Sequence, residues 1–161
     1  MFTRPFIDSL DFARRGGELS GEVPMAELSR MADILADSEG KVSYALRGLT
    51  GRDGKPQLEL ILDGVCNLRC QRCLNALPYP IKLVSKLRLV SEGETEGTDI
   101  EDDEVDNIPA EKRLDVLALL EEELLLSLPI APKHASGECE IAVEGLNRSN
   151  NPFAVLAGLK K

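Results

Sequence analysis

The chain is poor in aromatic side chains and in histidine. Of its 161 residues, 4% are aromatic, none is Trp and one is His. Domains that recognise RNA by base stacking need exposed aromatic rings, so this composition argues against an RNA-recognition motif. Because aromatic residues are scarce, the core must be built mainly from aliphatic side chains. Apolar residues are sufficient for a core, at 43% of the chain. This apolar content and the chain length predict a single folded domain over residues 1–161.

The chain also lacks the marks of export, of a membrane span and of common enzymes. Asp8 and Asp11 interrupt the N-terminal segment, where a secretory signal would be apolar. The longest apolar stretch, residues 114–132, contains four acidic residues, and each would cost roughly 3 kcal/mol at a bilayer centre. We therefore expect a cytoplasmic protein with no membrane partner. No Gly-rich phosphate loop, nucleophilic Ser motif or catalytic carboxylate pair is present, so we expect neither an enzyme nor a small-molecule substrate.

Charge is unevenly distributed along the chain. The protein has 19 basic and 28 acidic residues, and its net charge of −9 excludes a surface that is basic all round. Residues 41–90 nevertheless hold nine basic and three acidic side chains, whereas residues 91–128 hold two basic and 14 acidic ones. Such blocks either keep a protein soluble or form faces of opposite potential that bind a partner.

Hydrophobic periodicity predicts an α+β fold. Apolar residues at helical spacing predict an amphipathic helix over 25–38, and spaced leucines after Asp115 predict another over 115–128. Alternation over 41–62 predicts a β-hairpin, and residues 81–90 predict a further strand. We expect one antiparallel sheet flanked by two or three amphipathic helices, the third being the C-terminal segment. The acidic segment, about 91–108, predicts a mobile loop.

The last predicted strand has one apolar and one basic face. Lys82, Lys86 and Arg88 recur with a period of two, opposite the leucines. Arg69 and Arg72 precede this strand. We interpret these five cations as the contact for RNA or another partner, because an acidic protein must confine phosphate binding to a local site.

The cysteines predict a candidate metal site. Cys70 and Cys73 form a Cys-x-x-Cys pair, and His134 and Cys139 form a His-x4-Cys pair farther along the chain. Two such pairs, separated by a long insertion, are a common source of the four ligands of a structural zinc ion, Zn2+.

The same cysteines are also compatible with a redox role or with no ligand at all. Cys70 and Cys73 could form the redox pair of a thiol oxidoreductase, although no βαβ pattern precedes them. They could equally be turn residues that bind nothing. A further alternative concerns Cys66, which follows strand-like residues and could be buried as a small hydrophobe.

The C-terminal tail, residues 147–161, predicts a short docking element. Asn151 and Pro152 are typical of a helix start, and Phe153 and Leu156 follow on one side. A helix of about three turns is marginal by itself, so its apolar side must be buried on its own domain or in a partner's groove. The first arrangement is slightly favoured, because apolar anchors at chain ends often pack on their own domain. In the second arrangement the partner-docking residues are Asn151, Pro152, Phe153 and Leu156.

Together these motifs resemble those of the bacterial YceD family. The resemblance covers nearly the whole chain and is carried by the Cys70–Cys73 pair after an alternating strand, the acidic stretch, Leu126–Cys139 and Asn151–Lys160. Members are known as large ribosomal RNA subunit accumulation proteins. The resemblance implies a non-enzymatic cytoplasmic role in the synthesis, processing or stability of 23S ribosomal RNA. The implied partner is the rRNA itself or a ribosome-assembly or RNA-processing protein, and no catalytic residue comes with it.

Overall fold

A computed structural model describes residues 3–93, 104–139 and 152–159. Its strands are β1 (Phe6–Ile7), β2 (Glu18–Pro24), β3 (Lys41–Thr50), β4 (Pro56–Arg69), β5 (Ala76–Val90), β6 (Asp106–Pro109) and β7 (Leu114–Asp115). The α-helices are α1 (Ser9–Arg14) and α2 (Val116–Ser127). A five-stranded sheet in the order β2-β3-β4-β5-β6 lies beside a two-stranded ladder of β1 and β7. The α+β class is therefore confirmed.

The predicted hairpin and strand are confirmed, and the sheet is larger than expected. Strands β2 to β5 are antiparallel neighbours, whereas β6 runs parallel to β5. Strand β6 has four residues, too few to show an alternating pattern. Because it begins at Asp106, the predicted loop over 91–108 ends too late. Residues 94–103 of that loop lie outside the described part of the chain.

The prediction of a helix over 25–38 is wrong. This segment forms two 3₁₀ helices, Met25–Glu27 and Ser29–Met31, and its later part forms backbone hydrogen bonds with the end of β4. Its buried apolar residues are Met25, Leu28, Met31 and Leu35. A spacing of three fits the three residues per turn of a 3₁₀ helix as well as it fits an α-helix, so the pattern could not distinguish the two.

One face of the sheet carries the core. Helix α1 packs against β3 and β4, and α2 packs against β4 and β5. The approach of α1 is so close that a Cβ atom at Gly48 would collide with the backbone oxygen of Phe12, which explains the glycine in that strand. No helix among the described residues is long and apolar enough to cross a membrane.

Helix α2 confirms the prediction for residues 115–128, and Asp115 is its N-cap. One carboxylate oxygen accepts hydrogen bonds from the N–H groups of Leu117 and Ala118, at 3.1 and 3.2 Å. The other lies 2.6 Å from the guanidinium of Arg4. Burial acts to raise the pKa of Asp115, but the hydrogen bonds with Arg4, Ala118 and Leu117 hold this pKa below its ordinary value. The cap thus joins α2 to the N-terminal segment.

We expect Asp115→Asn to be less stable than the wild type in a pH-dependent way. Because the pKa of Asp115 is lowered in the folded protein, its carboxylate contributes full stability at pH values above the ordinary pKa of 3.8. This contribution is lost as the pH falls through the pKa of the folded protein. Chemical denaturation at neutral pH should show a loss of about 0.5 kcal/mol. The loss should shrink under acidic conditions, and Asp33→Asn, at an exposed position, should show neither effect. A loss independent of pH would contradict a role for the carboxylate charge.

Candidate metal centre

The turn between β4 and β5 carries the first ligand pair. The N–H of Cys70 donates to the carbonyl of Asn75 at 3.0 Å, and the N–H of Leu74 donates to the carbonyl of Cys70 at 2.9 Å. These bonds close a tight turn at the end of two long paired strands. The side chains of Cys70 and Cys73 thereby enter one cluster.

The segment after α2 supplies the second pair. The N–H of Gln71 donates to the carbonyl of Pro132 at 2.8 Å, which fixes this segment against the turn. Nδ1 of His134 lies 3.4 Å from Sγ of Cys73 and 3.7 Å from Sγ of Cys139. Sγ of Cys139 lies 3.8 Å from Sγ of Cys70. The structure therefore brings all four predicted ligands together.

Three of the six distances between the ligand atoms match those of a tetrahedral zinc site. In a tetrahedral site, zinc–sulfur bonds of about 2.3 Å and zinc–nitrogen bonds of about 2.0 Å set the distances between ligand atoms, which are the edges of the tetrahedron. These edges are about 3.8 Å between two sulfurs and about 3.5 Å between sulfur and nitrogen. The three contacts above match these edges, and all four ligand atoms lie within 4.8 Å of one another. The cluster could therefore bind a metal ion.

His134 is oriented for ligation through Nδ1. Its Nε2 lies 3.0 Å from the carbonyl oxygen of Ala76, a partner that accepts a hydrogen bond and so requires a proton on Nε2. That tautomer leaves the Nδ1 lone pair directed at the sulfurs, and such a backbone partner is usual for metal-binding histidines. Hydrogen bonds with Cys70 and Ala76 raise the pKa of His134, against the effect of burial.

The backbone around Cys70 favours its thiolate. Burial alone would raise its pKa, but hydrogen bonds from N–H groups of Cys73, His134 and Arg72 lower the pKa of Cys70 to about 5. The N–H of Arg72 lies 3.5 Å from the sulfur. In contrast, burial and the nearby sulfurs of Cys70 and Cys73 raise the pKa of Cys139. A bound cation would relieve this crowding of sulfurs.

The structure gives the thiol oxidoreductase alternative no support. Cys70, whose pKa is lowered, is 0% exposed, so a substrate disulfide cannot reach its sulfur. Cys66 lies outside the cluster and is buried, one of the alternatives that the sequence left open, and burial raises its pKa to about 11. An exchange reaction requires a sulfur that is both exposed and low in pKa, and Cys70 is not exposed.

Leu74, directly after the cysteine pair, has a left-handed backbone conformation. Its φ of 65° is the one positive φ of a non-glycine residue in the described ranges. This conformation costs a residue with a Cβ atom about 1 kcal/mol. The side chain is 66% exposed, so burial in the domain offsets little of this cost. No sequence signal marks the position, because leucine rarely adopts this conformation.

The predicted contact cations do not form one basic face. Arg69, Arg72, Lys82 and Lys86 are exposed, but Arg88 is 9% exposed. Arg88 does not share the exposure of the other four, because the turn between β3 and β4 lies against this end of β5. Asp53 of that turn lies 2.9 Å from Nε of Arg88 and compensates its charge.

Acidic side chains on β4 neighbour the two exposed lysines of β5. Lys82 is in register with Asp63, and Lys86 is in register with Glu59. Side chains paired in this way have Cβ atoms about 5 Å apart and attract each other. The outer face of the sheet is therefore mixed in charge. Sequence reasoning missed this, because only strand register reveals which residues of two strands meet.

Around the cysteine turn, exposed cations outnumber acidic residues. Residues 69–76 and 130–139 contain three of them, Arg69, Arg72 and Lys133, against one acidic residue, Glu138. This balance contrasts with the net charge of −9 of the whole chain. The turn and the segment beside it, which we call the knuckle, form a locally basic surface.

The tail residues that the structure describes are exposed. A 3₁₀ helix spans Ala154–Leu159, Pro152 is exposed, and Phe153 and Leu156 are 69% and 56% exposed. These exposures give no support to packing on the parent domain, and the partner-docking role of the tail stays a prediction. Asn151 lies outside the described residues.

Comparison with known proteins places these features in one family. The profile of the family described as "Large ribosomal RNA subunit accumulation protein YceD" matches residues 58–160, which include all four cluster ligands and β5. A Haemophilus influenzae protein with the same description is 27% identical over 172 aligned positions, which cover 96% of this chain and 94% of that protein. No solved structure matches the chain.

Proposed function

Because this chain belongs to the YceD family, we propose that it is a non-enzymatic cytoplasmic factor that supports the accumulation of 23S ribosomal RNA during large-subunit biogenesis. The observation that carries the proposal is the family match over residues 58–160, which covers both the ligand cluster and the basic knuckle. It acts on the synthesis, processing or stability of the RNA by binding.

The cluster of Cys70, Cys73, His134 and Cys139 holds a structural zinc ion in this proposal. Tetrahedral spacing and the Nε2 partner of His134 support it. All four positions are filled by protein ligands, so zinc has no open position for water or substrate. Its role is to join the turn to residues 130–139, a segment with no helix or strand to hold it.

We expect the purified protein to contain about one zinc ion per chain, as a site with four protein ligands should. Cys73→Ser should lose the metal, whereas Cys66→Ser, which replaces a thiol outside the cluster, should retain it. Elemental analysis by mass spectrometry measures both ratios. A folded wild-type protein without metal, reconstituted with zinc and still empty, would overturn the site.

The knuckle makes the contact with rRNA. Arg69 and Arg72 are exposed, and neither has an acidic partner among the described ion pairs. Lys82 and Lys86 are also exposed, but each lies next to an acidic residue that phosphate would have to approach. Direct binding to RNA through Arg69 and Arg72 is therefore favoured over binding through β5.

The salt dependence of RNA binding distinguishes these two surfaces. For 23S rRNA transcribed in vitro, Arg69→Gln with Arg72→Gln should lower affinity and reduce the slope of log K against log salt by about one unit per lost phosphate contact. The matched pair Lys82→Gln with Lys86→Gln should change the slope little. The reverse result would move the contact to β5. If the wild type shows no salt-dependent binding, an assembly or processing protein is the partner instead.

The tail is a second contact, which docks into a protein partner. Phe153, Leu156 and Leu159 are exposed and three residues apart, so a 3₁₀ helix aligns them on one side. An exposed apolar row of this kind is suited to a partner's hydrophobic groove.

Truncation after Ser149 tests this second contact. The melting temperature should stay unchanged, because the large apolar side chains described in the tail are exposed, while 23S rRNA accumulation in a strain lacking the chromosomal copy should fall. Leu156→Ser should reproduce the defect, and Val155→Ser, off the apolar row, should not. A truncated protein that melts several degrees lower would instead show docking on the parent domain, since burial of Phe and Leu contributes on the order of 2 kcal/mol each.

A further inference from the structure

Leu74 is a large apolar side chain that the fold itself does not use. It is 66% exposed, and its φ of 65° is a conformation that glycine adopts without strain. In the free protein, this side chain therefore makes the backbone conformation less favourable and contributes little packing. Strained residues of this kind persist where the surrounding structure holds them, and they are common at ligand contacts.

We propose that Leu74 is the apolar part of the rRNA contact and packs against the base of an unpaired nucleotide, while Arg69 and Arg72 bind the neighbouring phosphates. This inference rests on the proposed function and names the part of the RNA that the knuckle recognises. Leu74 lies two residues after Arg72, on the same turn between β4 and β5.

The surroundings of Leu74 favour RNA over an apolar groove in a protein. Three cations and one acidic residue occupy the two segments of the knuckle, in a chain whose net charge is −9. Such a local excess of cations attracts phosphate. Leu74 and Ile130 are the two large apolar side chains exposed in the knuckle, and together they offer too little apolar area for the core of a protein interface.

An unpaired nucleotide fits this turn better than a duplex does. In A-form RNA the major groove is too narrow for side chains, and base faces are stacked. Loops and bulges present base faces, and aliphatic side chains contact such faces in other nucleic-acid complexes. The turn is also held in place in the free protein, because backbone hydrogen bonds join Cys70 to Asn75 and Gln71 to Pro132. A rigid contact loses little conformational entropy on binding.

Variants at Leu74 in the full-length, zinc-loaded protein test the proposal with 23S rRNA transcribed in vitro as the probe. Leu74→Gly and Leu74→Asn both tolerate a positive φ and remove the apolar side chain. Each should weaken RNA binding at least about tenfold, as the loss of one buried aliphatic side chain does. The salt slope should be unchanged, because no phosphate contact is lost. Leu74→Met should retain affinity, and Val84→Ala, at an exposed apolar position on β5, should have no effect.

Zinc content and melting temperature are measured for each variant, and neither should fall in Leu74→Gly, since the strain is removed. Unchanged affinity in Leu74→Gly and Leu74→Asn would overturn this inference, while a reduced salt slope in the Arg69 and Arg72 variant would leave the proposed function standing. Loss of zinc in both variants would assign the effect to folding and also overturn it. A wild type that does not bind the RNA would overturn the direct contact itself.

Discussion

The long antiparallel pairing of β4 with β5 is the constraint on which the rest of the structure depends. It runs from Gln57 opposite Arg88 to Arg69 opposite Ala76. The inner side chains of both strands enter the core under α2, and the far end of the pair forms the cysteine turn. Successive side chains of a strand point to opposite faces of the sheet, so this register places leucines inside and charged residues outside. A slip of one residue would bury charges and separate Cys70 from its neighbours.

This register also decides where the molecule can attract phosphate. On the outer face it places Lys82 beside Asp63 and Lys86 beside Glu59, so each lysine is attracted to a neighbouring carboxylate and attracts phosphate less. Arg88 is removed from the surface by Asp53. Arg72 lies in the turn between β4 and β5, beyond the last residue pair, so it has no cross-strand neighbour. An acidic protein can therefore keep a local basic surface at the end of a hairpin, where side chains are no longer paired.

The ligand cluster adds a second constraint, because its two halves come from segments that are distant in the chain. Cys73 and His134 are 61 residues apart. Without a bond between them, the segment 130–139 would depend on few contacts, such as that of Gln71 with Pro132. A tetrahedral ion would fix four side chains at once and hold the turn that keeps Leu74 in its strained conformation. Stability of the cluster and presentation of the knuckle would then be coupled.

The sequence by itself determined the α+β class, the hairpin, α2 with its Asp115 cap and the identity of the four cluster residues. These depend on local patterns and on side-chain chemistry, which the order of residues contains directly. Tertiary structure decided that residues 25–31 form two 3₁₀ helices, that Arg88 is buried, that Leu74 has a positive φ and that the apolar side chains described in the tail are exposed. Each of these depends on which distant residues meet, and hydrophobic spacing alone is compatible with more than one such arrangement.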